Sequence, residues 1–200
     1  MSDGAEGREG AKRVEAFSDG VIAIIITIMV LEMHAPEEEG LGHLWALWPV
    51  FTAYALSYAY VAIYWVNHHR MFHHATHVTN GLLWANIALL FALSLVPFAT
   101  AYLGEHHFSR DATLVYMCTM MLPSFAYVAL QTVIRRSGAQ DEAAQDYHKR
   151  TMRKGMIASA IYAAGIALTF VTPVLGLACA GVVALLWFLP KSPLDRLFAA

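Results

Sequence analysis

The sequence predicts an all-α, polytopic membrane protein with six transmembrane helices, on three observations. The residues AVILMFWYC make up 58% of its 200 positions. With Gly counted in place of Tyr the apolar share is about 60%, against about 45–50% in soluble domains, and the 14% of charged residues is about half the usual share. The apolar residues fall into six runs, 14–33, 44–66, 81–103, 114–134, 155–171 and 174–189, each near the roughly 20 residues that cross about 30 Å of hydrocarbon. Six spans also put 12 of the 13 Lys and Arg residues on one side, leaving Arg110 opposite with Glu32, Glu37, Glu38, Glu39 and Glu105. The positive-inside rule then predicts a multi-pass protein of the cell membrane with both termini in the cytoplasm.

Residues 1–12 are rich in Gly and charge, which predicts a disordered cytoplasmic N-terminus. The membrane domain is expected over 13–190 and a cytoplasmic tail over 191–200. The first span resembles a signal peptide only superficially. Asp19 stands near its start, it ends in Leu31-Glu32 and no small-residue cleavage site follows, so it is expected to stay in the mature protein. The third and fourth spans hold Pro97 and Pro123; each removes a backbone hydrogen bond and bends its helix. The stretch 135–154 reads as a polar helix-and-turn linker. The last two runs are short and separated by Thr172-Pro173. Joined, they would make a helix of about 52 Å, too long for one span, so a tight hairpin is predicted.

Asp19 lies one to two turns inside a span, where a carboxylate is expensive and faces a partner or water. The end of the second span and the start of the third share its depth and offer Trp65, Asn67, His68 and Asn86 as donors. A buried cluster of Ser18, Asp19, His68 and Asn86, joined by Arg13 and Trp65, is the economical arrangement. It either locks three helices together or touches a permeating ion or proton. Beyond Asp19 the span is apolar all round except for Thr27, and Ile24, Ile28 and Leu31 form a stripe about 10 Å tall. By periodicity alone the stripe marks only a helix surrounded by lipid or protein.

His69-x-x-x-His73-His74 has the spacing of one histidine box of the membrane di-iron enzymes. Those sites need several boxes on one membrane face. Here His148 is the only other histidine on that side beyond the 68–77 cluster, so His69, His73 and His74 are candidates only for adventitious zinc or nickel, and no resident metal or cofactor is expected. Cys118 and Cys179 lie in apolar runs and predict no disulfide. The net charge of −2 gives no basic face for nucleic acid. The chain has no Thr-Val-Gly-Tyr-Gly filter, voltage helix, nucleotide loop or nucleophile elbow. A channel made from it must therefore select ions without the usual carbonyl filter, and nothing points to an enzyme.

Arg13-x-x-x-Phe17-Ser18-Asp19, continued by Ile24 and Thr27, together with Trp65-x-x-His68-x-x-x-Phe72, Asn86 and Leu95-Val96-Pro97-Phe98, resembles the transmembrane protein 175 potassium channels of lysosomes and endosomes and their shorter bacterial homologues. The resemblance covers the first half of the chain by motif and the rest by layout. It implies a bacterial form with one six-helix repeat, a homotetramer in the bilayer, and a potassium-permeable pore lined by the first helix. Ile24 would be the main constriction, with Thr27, Ile28 and Leu31 also lining the pore and Arg13, Phe17, Ser18, Asp19, Trp65, His68 and Asn86 forming the signature network. Stacked apolar rings would close by expelling water and penalise the more strongly hydrated sodium. The rival readings are a proton-permeable channel or proton-coupled transporter using Asp19 and His68, and a membrane metalloenzyme using His69, His73 and His74.

Overall fold

The computed structural model describes residues 2–75, 77–137 and 142–188. These form eight helices: α1 (Ser2–Leu31), α2 (Leu41–Ala46), α3 (Trp48–Phe72), α4 (Asn80–Ser94), α5 (Val96–Glu105), α6 (Arg110–Ser137), α7 (Glu142–Thr169) and α8 (Pro173–Phe188). Among the described residues, four stretches are long and apolar enough to cross a membrane: Gly7–Leu31, Trp48–Phe72, Asn80–Glu105 and Arg110–Arg136. They match the first four predicted spans. The last two predicted spans correspond to the apolar end of α7 and to α8, whose 16 residues rise only about 24 Å.

The helices differ from the sequence reading where proline or packing intervenes. The predicted run 44–66 is broken at Leu47, because Pro49 has no N–H to bond the Trp45 carbonyl and its ring crowds it. The short α2 therefore stands apart, and α3 continues six residues past the predicted end, to Phe72. Pro97 divides the third span into α4 and α5 at Leu95, whereas α6 runs unbroken through Pro123. The N-terminal disorder expected for residues 1–12 is not what the structure shows: α1 is helical from Ser2. Its third turn has something to pack on, with Ala11 buried and Gly10 lying so close to Val78 that an added Cβ would stand 3.2 Å from the Val78 methyl. The predicted tail 191–200 lies outside the described residues.

Helix α1 buries one face, Ala11, Ser18, Ile22, Ile25 and Met29, at the helical period. It packs on α3, α4 and α5. Behind it, α6 binds α4, α5 and α7 around Leu89, Leu93, Tyr116, Met117 and Met120. A chain of polar groups in this core is paired: Thr100 Oγ1 donates to Ser57 Oγ at 2.7 Å, Ser57 bonds the Tyr116 hydroxyl at 3.1 Å and Tyr60 donates to the Met120 carbonyl. Pairing removes the penalty of burying them. The expected hairpin is present. Helices α7 and α8 are joined by residues 170–172, and Gly165 faces Gly176 so closely that a Cβ on Gly176 would overlap Thr169 Oγ1.

Candidate pore helix and its bracing network

Ser18 and Asp19 are neighbours in sequence, so on α1 their side chains leave about 100° apart. That angle decides their partners. Ser18 is fully buried and faces α4, where Asn86 Nδ2 donates to its Oγ at 2.9 Å. The Ser18 hydroxyl in turn donates to the Val14 carbonyl at 2.8 Å. His68 Nε2 lies 2.8 Å from Asn86 Oδ1, and since that oxygen can only accept, Nε2 carries the proton. A directional relay thus runs from α3 through α4 to α1. The other face of the His68 site is filled by Phe72, with rings stacked 4.4 Å apart.

Asp19 is not part of this relay. It is half-buried on the side of α3 and accepts a hydrogen bond from Trp65 Nε1 at 2.9 Å. The single cluster expected from sequence is therefore two separate clasps, and adjacent residues on a helix cannot serve the same point. Arg13 and Phe17 also lie outside both, with Arg13 exposed and Phe17 exposed on the bare side of α1.

The stripe residues occupy that bare side: Ile24 is 58% exposed, Ile28 39% and Leu31 75%. Thr27 is exposed too, and its hydroxyl donates to the Ile24 carbonyl at 2.8 Å, leaving its lone pairs outward. Between this part of α1 and α5 runs a groove of about 490 Å³, lined by Ile24, Ile28, Pro97, Phe98 and Tyr102, with Glu32 and Glu105 also on its wall. An apolar helix face left uncovered by its own chain needs lipid or another subunit against it.

The three spaced histidines do not converge. His69 faces α1, with Nδ1 2.6 Å from Glu15 Oε1. His73 meets the His69 ring edge-on, centroids 5.1 Å apart. His74 turns to α7 and packs on Tyr147 at 4.7 Å and His148 at 5.6 Å. No group of three or more His, Cys, Asp or Glu among the described residues is placed to hold a metal ion. Gln131 Nε2 of α6 donates at 3.2 Å to the carbonyl of His148, which lies on α7 outside its apolar stretch. Burial, then the neighbouring His74 and Arg135, hold the His148 imidazole below its usual range.

The pairing of Glu15 with His69 escaped the sequence reading, which gave Glu15 no role and weighed His69 only as a metal candidate. Its signal was the spacing: 15 and 19 on one helix and 65 and 69 on the next are each four apart, so antiparallel helices align both pairs.

A family model described as "Endosomal/lysosomal potassium channel TMEM175" matches residues 13–97. A potassium channel of Chryseobacterium sp. (strain P1-3) is 40% identical over 185 residues, 92% of this chain and 95% of that one. A potassium channel of Streptomyces collinus is 35% identical over 198 residues, 94% of this chain and 96% of that one. The mouse endosomal/lysosomal proton channel TMEM175 is 29% identical over 137 residues, 60% of this chain but 28% of its own length. Among solved structures, the fold is similar to a lysosomal potassium-selective channel TMEM175 homolog from Chamaesiphon minutus, with a TM-score of 0.81 and 28% identity over 90% of this chain and 97% of that one.

Proposed function

The chain belongs to the TMEM175 family of ion channels, and from that premise we propose that four copies assemble in the cell membrane as a potassium-permeable channel with α1 lining the pore. The observation that carries this reading is the division of α1 into a face packed on its own chain and an apolar face, Ile24, Ile28 and Leu31, that its own chain leaves bare. Around a fourfold axis those side chains stack as rings. Narrow apolar rings exclude water, and an ion that passes must shed part of its hydration shell. Sodium holds its shell more tightly than potassium, so such rings favour potassium. Thr27, between the Ile24 and Ile28 levels, supplies outward lone pairs that replace some lost water.

Glu32 at the end of the apolar stretch and the Glu37–Glu39 loop beyond it raise the local cation concentration at the outer mouth. The Ser18–Asn86–His68 relay and the Asp19–Trp65 clasp hold the other end of α1 in register. In this reading six spans cross the membrane, with α7 and α8 as the final hairpin, both termini in the cytoplasm, lipid around the rim, and no cofactor or metal.

Proton permeation is the second reading. It is favoured by the mammalian relatives, which are named proton channels, and by the half-buried Asp19 carboxylate on the pore helix. Liposomes holding the purified protein under separate potassium, sodium and proton gradients distinguish the two. Passive potassium flux exceeding sodium flux is the expected result. Proton flux without potassium flux replaces the first reading by the second, and saturable, coupled flux replaces both by a transporter.

A further inference from the structure

Tyr127 and Gln131 stand one turn apart on the same edge of α6, and Tyr147 and His148 are neighbours on α7. The 3.2 Å bond from Gln131 Nε2 to the His148 carbonyl brings the two pairs together. Around that bond lie the Tyr127 and Tyr147 hydroxyls, Gln131 Oε1 and His148 Nδ1, four buried polar atoms without a hydrogen-bond partner among the described residues. The two hydroxyls are near each other but lack the geometry of a hydrogen bond. Four of the seven such atoms among the described residues fall at this one place, so what they lack is local. Buried polar groups left in this state are costly, and a shared partner removes the cost for several at once.

We propose that α6 and α7 enclose a bound-water site here, and that its water joins the two helices where their own side chains do not meet. The inference does not depend on α1 as the pore helix. Gln131 Oε1 can only accept, each tyrosine hydroxyl both donates and accepts, and a nitrogen of a neutral imidazole does one or the other. The charges of Arg70 and Arg135 reach Tyr147 and His148, which disfavours a cation, and an oxygen that only accepts disfavours an anion. The ligand is therefore a neutral molecule that donates and accepts.

Beside Tyr127 a cavity of about 10 Å³, lined also by Ile63, Tyr64, Asn67 and Trp187, admits about one water and nothing larger. His74 covers the site from the loop after α3, packing on Tyr147 at 4.7 Å and on His148 at 5.6 Å between ring centroids. Exchange with bulk water then waits on movement of that loop. Because apolar burial does little to hold helices together in a bilayer, a water making about three hydrogen bonds across this seam fixes α7 against α6.

The test is X-ray radiolysis of the reconstituted full chain, in which a water held against a buried side chain oxidises that side chain promptly. Tyr116 is the internal reference, since it is 1% exposed against 2% for Tyr127 but has its hydroxyl bonded to Ser57. Tyr127 should be oxidised at least about fivefold faster than Tyr116. In Tyr127→Phe the water loses a partner, so the thermal unfolding midpoint should fall. A dry site would instead be relieved of an unsatisfied hydroxyl, and the midpoint would hold or rise. Oxidation of Tyr127 at the Tyr116 rate overturns the site, and so does a midpoint in Tyr127→Phe that holds or rises. Should that variant fail to fold, the wild-type oxidation ratio alone decides. Neither readout uses ion flux, so a failure of the channel reading leaves the water site standing, and a dry site leaves the channel reading untouched.

Discussion

The two halves of α1 are built from opposite materials. From Val14 to Asp19 the helix is fastened: Ser18 is bonded to Asn86, Asp19 to Trp65, and Glu15 meets His69. From Ile24 to Leu31, among the described residues, no side-chain hydrogen bond ties it to another helix, and its large apolar side chains on one face stand bare. Helix–helix association in a bilayer gains little from apolar burial, since lipid tails are equally apolar, so hydrogen bonds and close packing must fix position. Under the proposed pore reading, a helix that has to hold a narrow ring at a set radius is anchored by polar clasps at one end and left smooth at the other.

The strongest way to break this comparison is to remove the central link of the anchor. Asn86→Leu leaves the buried His68 N–H without an acceptor, a loss of about 1–3 kcal/mol for that group alone. It should lower the thermal unfolding midpoint of the purified protein, while Ile28→Ala, in the bare half, should leave it nearly unchanged. Equal losses from the two substitutions would erase the distinction between anchor and smooth face.

A defect far from α1 sharpens the same contrast. Gly176→Ala forces a Cβ onto Thr169 Oγ1 at the α7–α8 crossing and should cost about 1–3 kcal/mol by overpacking. It is expected to destabilise the fold yet leave ion selectivity alone, as read from reversal potentials of the surviving channels. A smaller effect is expected at the outer clasp. Trp65→Phe keeps a ring beside His69 but removes the donor to Asp19, in a site open enough to water that about 0.5–1 kcal/mol is expected, measurable as a modest shift in the same unfolding midpoint.

The smallest effect is the pH dependence of α7. Because burial, His74 and Arg135 hold His148 below its usual range, the folded protein binds fewer protons there than the unfolded chain. Its contribution is intact above about pH 6.5 and is lost as pH falls through the unfolded value toward the folded one. Hydrogen exchange over residues 142–154 should therefore speed up on acidification in wild type and less so in His148→Gln.

Much of this was legible in the chain. Hydropathy located the four stretches capable of spanning a membrane, Thr172-Pro173 marked the hairpin, and the shared depth of Ser18, His68 and Asn86 identified the relay. Asp19 was misassigned because depth ignores azimuth: one residue turns a side chain by about 100°, toward Trp65 and away from Asn86. The break at Leu47 was hidden because a hydropathy run does not register the missing N–H of Pro49. The packing of Gly10 depends on a tertiary surface around Val78 that composition cannot reveal, and the Glu15–His69 contact needed the antiparallel register of two helices 50 residues apart in sequence.

The central claim, that the bare half of α1 selects ions by making dehydration costly, is tested most directly by bi-ionic reversal potentials with potassium on one side and sodium on the other. Asn at position 24 offers a substitute for lost water and helps sodium more than potassium. Ile24→Asn channels should therefore conduct better and reverse closer to zero than wild type, with the same change at Ile28 giving a weaker shift. A folded Ile24→Asn channel with the wild-type reversal potential would contradict the account and leave α1 as a structural span.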